Sequence, residues 1–182
     1  MSTTNQPTTV GTAAAPIGRG GSILASRPLL GWRTVDLLTV AFLGAAFGIA
    51  YWAWSLAYSA PSNALMAVFP PLGGVVNAPW LMAGVVGGLV IRRPGAALLC
   101  EVIAAVVEML PGSTWGAATL VSGILQGAGA ELAFLLLAYG SFGIGAAMLA
   151  GAGGWLLTKA LAKAGALGAF PPGQEERERH AV

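Results

Sequence analysis

Charge is scarce in this sequence. Asp, Glu, Lys and Arg make up only 9% of 182 residues, against 56% apolar residues, and mean hydropathy is +0.75. A soluble domain carries roughly 25% charged residues, so the chain lacks the means to cover a water-facing surface. Cysteine is nearly absent. Cys100 stands alone, which rules out a disulfide within the chain and gives no sign of an oxidising compartment. The one histidine, His180, lies in a polar C-terminal tail. That leaves no paired His/Cys spacing for a metal and no Ser-His-Asp set in the apolar body. There is no G-x-x-x-x-G-K-[ST] run for ATP phosphates. The formal net charge of +2 is too small for a nucleic-acid patch, and residues 1–31 contain no apolar stretch of the signal-peptide kind. These absences exclude a soluble enzyme, a disulfide scaffold and a nucleic-acid binder. They leave an all-α integral membrane protein, a compact bundle of about five to six transmembrane helices, with no cofactor, metal or catalytic set expected.

The few charges are unevenly placed. The basic residues are Arg19, Arg27, Arg33, Arg92, Arg93, Lys159, Lys163, Arg177 and Arg179. None falls between Thr34 and Ile91 or between Pro94 and Thr158. Three acids, Glu101, Glu108 and Glu131, sit inside apolar stretches with no neighbouring cation. Arg33 and Asp36, three apart, are placed to pair at the entrance of the first span.

Residues 1–32 read as a disordered basic tail, 33–168 as a single transmembrane domain and 169–182 as a polar C-terminal tail. Val35 to Ala60 suffices for one tilted span, ended by Pro61-Ser62. Pro70-Pro71, Gly73-Gly74 and Pro79 break the next stretch, giving a loop or re-entrant piece to about Val76 and a helix from about Asn77 to Ile91. Arg92-Arg93-Pro94-Gly95 is a basic turn. A short helix follows over Ala96–Leu110. Ser113 and Thr114 are placed to cap the next helix, which runs to about Tyr139, and a last apolar stretch covers Ser141 to about Leu167. Basic residues favour the cytoplasmic side, so the N-terminus and the Arg92-Arg93 turn are expected there, in a multi-pass protein of the cell membrane. On that count Lys159 and Lys163 end an outward-running helix, against the rule.

The helices carry distinctive faces. Phe47, Tyr51, Trp54 and Tyr58 follow one stripe of the first helix. Such a stripe serves either as a belt at the lipid headgroups or as a wall on which a ligand stacks. A second stripe, Ala41, Gly44, Ala45 and Gly48, is small enough for close approach of a partner protein or another helix. Glu101 and Glu108, seven apart, share a face. Gly123, Gly127 and Glu131 form a groove leading to a carboxylate, with Gln126 beside it. A carboxylate at mid-membrane costs roughly 2.5–3.5 kcal/mol. Either the glutamates are protonated and bond neighbouring helices, or they face a polar cavity and receive a cationic or amine-bearing ligand.

Three runs, Ile91-Arg92-Arg93-Pro94-Gly95-Ala96-Ala97, Glu101-Val102-Ile103-Ala104-Ala105-Val106-Val107-Glu108 and Leu125-Gln126-Gly127-Ala128-Gly129-Ala130-Glu131, resemble the YkoE family over roughly residues 33–150. These are substrate-binding S components of energy-coupling-factor (ECF) vitamin transporters. The resemblance implies uptake of thiamine or its hydroxymethylpyrimidine precursor, a transmembrane coupling protein and two ABC ATPases as partners, and no enzymatic activity of the chain itself. Carried over by motif, the polar binding candidates are Glu101, Glu108, Gln126 and Glu131. The aromatic ones are Tyr51, Trp54, Trp80 and Trp115, with Asn77 at the head of its helix. Aromatic rings attract a cation, and carboxylates neutralise it or accept from an amine. The resemblance departs near the C-terminus. Met148–Gly153 fits the start of the family's fifth helix, whereas Gly154–Ala160 already resembles the end of its sixth. Two other readings stay open: a proton-coupled carrier using the three glutamates, and a non-transporting membrane assembly protein.

Overall fold

A computed structural model describes residues 30–69, 73–113 and 115–163. The expected C-terminal tail lies outside them, as does the N-terminal tail apart from its last three residues. Among the described residues every regular element is helical: α1 (Thr34–Ala57), α2 (Ser59–Val68), α3 (Gly73–Asn77), a 3-10 turn (Ala78–Leu81), α4 (Met82–Ile91), α5 (Ala96–Met109), α6 (Ala118–Leu136) and α7 (Ile144–Lys163). Three helices, α1, α6 and α7, are long and apolar enough to cross a membrane. The shorter α4 and α5 pack among them. α5 lies between α1 and α6, α7 closes against α6, and α4 touches α1, α5, α6 and α7. The result is a helical membrane bundle.

Large apolar side chains point outward and small ones inward. Leu37, Leu38, Phe42, Ile49 and Leu56 of α1 are exposed, as are Leu132, Leu135 and Leu136 of α6 and Met148, Leu149 and Leu156 of α7. The buried clusters are dominated by alanine, with Cys100, Tyr51 and Phe134 among them. Lipid tails are as apolar as leucine, so burying large side chains gains little. Small residues let backbones approach and gain dispersion contacts instead.

The small stripe of α1 is used within the chain. Gly44 and Gly48 are buried against α5. A Cβ on Gly48 would stand 2.6 Å from the Ala104 carbonyl oxygen and from Val107 Cβ. Ala45 is half-buried and Ala41 exposed. Of the two expected uses of the stripe, another helix takes its glycines: the partner interface read over Ala41, Gly44, Ala45 and Gly48 is corrected at Gly44 and Gly48, which form the α1–α5 seam.

Several element boundaries also differ from expectation. Pro61-Ser62 does not end the first helical stretch. Tyr58 keeps right-handed helical angles (φ −59°, ψ −39°), and Pro61 falls in the first turn of α2, where backbone N–H groups have no intrahelical partner to lose. The expected loop before Val76 therefore contains α2 and α3. Pro79 sits in the 3-10 turn that leads into α4. Ser113 does not cap α6. Its hydroxyl bonds Thr119 Oγ1 at 2.8 Å and accepts from the Trp115 N–H at 3.2 Å, which stabilises the connecting turn, and α6 begins at Ala118. Thr114 lies outside the described residues. α6 stops at Leu136, because Ala138 and Tyr139 take positive φ angles of 50° and 52°. α7 runs unbroken through Gly153-Gly154, so the two pieces that resemble separate helices of the family form one helix here. It packs backbone to backbone on α6, Gly153 against Gly129.

One end of the bundle is closed by charge. Asp36, buried at the start of α1, accepts from Arg33 Nη2 at 2.7 Å and from Arg93 Nε at 2.7 Å. The Arg33–Asp36 pair is the one expected; Arg93, fully buried, adds the α4–α5 turn to it. Arg92 caps α4 in the left-handed conformation (φ 56°), and its guanidinium lies 4.9 Å from the centroid of the Phe142 ring.

Candidate functional site

The opposite end opens into a cavity of about 320 Å³, at the lower limit of small-molecule sites, roughly 300–1,000 Å³. The C-terminal part of α1, the start of α4, the end of α5, the start of α6 and the end of α7 all contribute to its walls. Tyr51, Asn77, Trp80, Glu101, Glu108, Trp115 and Gln126 line it, so seven of the nine side chains proposed from sequence come together in one place.

The two glutamates of α5 are almost fully buried, at 1% and 2% exposure. Glu101 Oε2 accepts the Gly84 N–H at 2.5 Å, and its carboxyl adjoins the Tyr51 hydroxyl. Tyr51 in turn accepts the Ala83 N–H at 2.7 Å. The first turn of α4 thus gives two of its otherwise unpaired N–H groups to this cluster. Glu108 Oε1 accepts from Trp80 Nε1 at 3.0 Å. Each carboxyl is held by a fixed donor in the apolar interior, where orientation is expensive to change. Gln126 donates to Ser122 Oγ at 2.8 Å, which leaves its amide oxygen towards other donors. Around the rim, Tyr58 packs edge-on against Trp80 (5.1 Å between centroids) and against Trp115 (6.2 Å).

Two predicted residues are elsewhere. Glu131 lies at the charged end of the bundle, where its oxygens accept the N–H groups of Gly95 (2.6 Å), Ala97 (3.0 Å) and Leu98 (3.4 Å), together with the Tyr139 hydroxyl. It caps the N-terminus of α5, where a carboxylate meets unpaired N–H groups and the positive end of the helix dipole. Trp54 does not line the cavity. Its indole N–H donates to the Val76 carbonyl at 3.1 Å and ties α1 to α3. At about 100° per residue, Trp54 sits about 60° from Tyr51 around the helix, whereas Tyr58 sits only about 20° away. Tyr58 therefore shares the cavity face with Tyr51, and that angle was the signal in the sequence for it. Thr119, Ser122, Trp155, Thr158 and Lys159 also line the cavity and were not among the candidates. The three from α7 fall at i, i+3 and i+4, one helical face. No amphipathic pattern marks which face of that glycine-rich helix turns inward.

The residues 35–157 match the family described as "ABC-type cobalt transport system, permease component". The chain is 33% identical over 123 residues to the "Putative HMP/thiamine permease protein YkoE" of Bacillus subtilis (strain 168), an alignment covering 67% of this chain and 60% of that protein. The chain therefore spans about 60% of the length of this curated relative. A solved structure, "Crystal structure of an S-component of ECF transporter", superposes with a TM-score of 0.57 at 29% identity, over 79% of this chain and 72% of that one. The family match takes in most of the chain, from the first turn of α1 to the middle of α7, and the chain belongs to the ABC-type cobalt transport permease family, with YkoE and an ECF S component among its relatives.

Proposed function

We propose that this chain is the substrate-binding membrane subunit of an ECF-type importer and that its cavity takes up thiamine or the hydroxymethylpyrimidine precursor. The observation that carries the reading is the pairing of two buried carboxyls, Glu101 and Glu108, with the Tyr58/Trp80/Trp115 rim in one cavity. An aminopyrimidine offers amine donors to the carboxyls and flat faces to the rings. A thiazolium adds a permanent cation that both carboxylates and aromatic faces attract. The name of the YkoE relative and the shared S-component fold support this choice.

Orientation follows from the charged end. Arg33, Arg92 and Arg93 gather at one end of the bundle, and the positive-inside rule puts that end in the cytoplasm. The N-terminus is then cytoplasmic and the cavity opens outward, as capture of an external solute requires. Energy would come from partners: a transmembrane coupling protein and two ABC ATPases, against which the loaded subunit reorients. The chain itself acts as a non-enzymatic transport subunit.

The family description names cobalt, so the cargo is tested directly. Purified protein is heated in the presence of thiamine, its phosphates, hydroxymethylpyrimidine or Co²⁺. A ligand that binds only the folded state stabilises it by about 2.7 kcal/mol at a hundred times its Kd. An upward shift in Tm with thiamine or hydroxymethylpyrimidine is expected. A shift with Co²⁺ alone would overturn the proposal.

A further inference from the structure

We infer that Lys159 is a specificity-determining residue of this cavity and that it selects ligands bearing a phosphate on the end opposite their ring amine. The inference rests on the proposed function and narrows it to the phosphate ester of thiamine.

Lys159 is an anomaly in the sequence, a cation at the end of a helix that runs towards the side where basic residues are disfavoured. A lysine near a helix end commonly reaches along lipid to the headgroups. The geometry of α7 points it another way. Trp155, Thr158 and Lys159 form one face and line the cavity together, while Met148, Leu149 and Leu156 cover the exposed apolar side. Among the described residues Lys159 forms no ion pair, so neither Glu101 nor Glu108 neutralises it. α5 and α7 lie on opposite flanks of α6, and the carboxyls and the ammonium therefore face the cavity from different walls. Glu101 is the deep carboxyl, on the level of Gly84 and Tyr51. Lys159 stands in the last turns of α7, and the hydroxyls of Thr158 and, from the first turns of α6, Thr119 and Ser122 line the cavity with it. Glu108, two turns nearer the open end of α5, accepts from Trp80 Nε1. A cavity with a carboxyl at depth and a cation among hydroxyls on its α6–α7 wall fits a ligand with a donor at one end and an anion at the other. Free thiamine ends in a neutral hydroxyl at that position, and its monophosphate supplies the anion; in hydroxymethylpyrimidine the amine and the hydroxymethyl group sit on adjacent ring carbons, so its phosphate does not span the cavity in this way.

The experiment is calorimetric titration of the purified full chain with thiamine, thiamine monophosphate and hydroxymethylpyrimidine. Wild type is expected to bind thiamine monophosphate about tenfold more tightly than thiamine, as a charge-assisted contact warrants. Lys159→Met should remove that advantage and leave the unphosphorylated ligand within about twofold, and Lys159→Arg should retain it. Lys163→Met, one turn further on, exposed like Lys159 but outside the cavity lining, should change neither. Equal wild-type affinity for thiamine and its monophosphate overturns the inference. So does a Lys159→Met variant that loses both ligands equally, which marks a structural role, or a Lys163→Met variant that loses the phosphate advantage too, which marks a general surface potential. In each of those results ligand binding itself survives and the proposed function stands. Wild type binding neither thiamine nor its monophosphate overturns the inference, and if hydroxymethylpyrimidine is not bound either, the proposed function falls with it.

Discussion

Glu101, Glu108 and Glu131 have the same side chain and meet three different fates. The seven-residue spacing of the first two was legible in the sequence, because one helix carries both on one face. For Glu131 the sequence left two readings open, a helix-to-helix bond or a cavity, and the structure takes the first: its partners are backbone N–H groups of another helix that begins where the chain re-enters after Gly95. Glu131→Ala should lower unfolding stability by about 1–3 kcal/mol, the cost of leaving buried donors unmade, while ligand affinity stays within about twofold; thermal melts beside titrations check both. The aromatic residues divide in the same way. Tyr58→Ala removes the ring that holds Trp80 and Trp115 edge-on and should weaken thiamine binding several-fold, since a cation on an aromatic face is worth about 0.5–2 kcal/mol. Trp54→Phe loses one hydrogen bond to Val76 and should cost about 1 kcal/mol of stability with affinity unchanged. Titration of the two variants side by side separates a cavity residue from a tether. A Trp54→Phe protein with weakened binding and unchanged stability would reverse the assignment.

At the scale of elements, the sequence marked most helices well and their neighbours less well. α5 lies within a residue of its expected span because Gly95, with φ 87°, and Pro111-Gly112 bound an uninterrupted apolar run. α2 is masked in the sequence by Pro61, which reads as a stop but falls in the first turn of the helix, where it is harmless. The stripe of Gly44 and Gly48 announced a close contact, but small residues on one helix do not name the surface they meet. The contact is α5, so Gly48→Leu should damage the isolated subunit itself. Forcing a side chain into a gap where even a Cβ stands 2.6 Å from the Ala104 carbonyl should cost on the order of 1–3 kcal/mol or more, seen as a lower Tm of the subunit purified without partners. A variant as stable as the parent that fails only in assembly with partners would return the stripe to an external interface.

For the whole molecule, the separation of two ends matters most. Ion pairs and the Glu131 cap close one end; acceptors, rings and Lys159 open the other. The sequence showed the charges but not their gathering. Arg93 lies 57 positions from Asp36, and only the packing of α1 beside the α4–α5 turn brings them together. Removing Asp36 takes that carboxylate from the buried Arg93. Breaking such a pair costs about 3–5 kcal/mol, so Asp36→Ala should be poorly folded, whereas a binding-site variant should not. The C-terminal departure from the resembled family becomes a single helix, α7, that contributes a wall to the cavity. Its face could not be read from a run of glycine and alanine, because such a run has almost no amphipathic direction.

The most direct measurement is calorimetric titration of thiamine, its monophosphate and hydroxymethylpyrimidine into the purified wild-type chain and into Glu108→Gln. Glu108 presents one oxygen to Trp80, and Gln keeps that acceptor and the side chain's shape while removing the charge. The account predicts saturable binding of at least one of these ligands to wild type, weakened about tenfold or more in Glu108→Gln with the melting temperature of the unliganded protein little changed. Equal affinity of the two proteins would take Glu108 out of the site, and no binding to wild type would contradict the account at its centre.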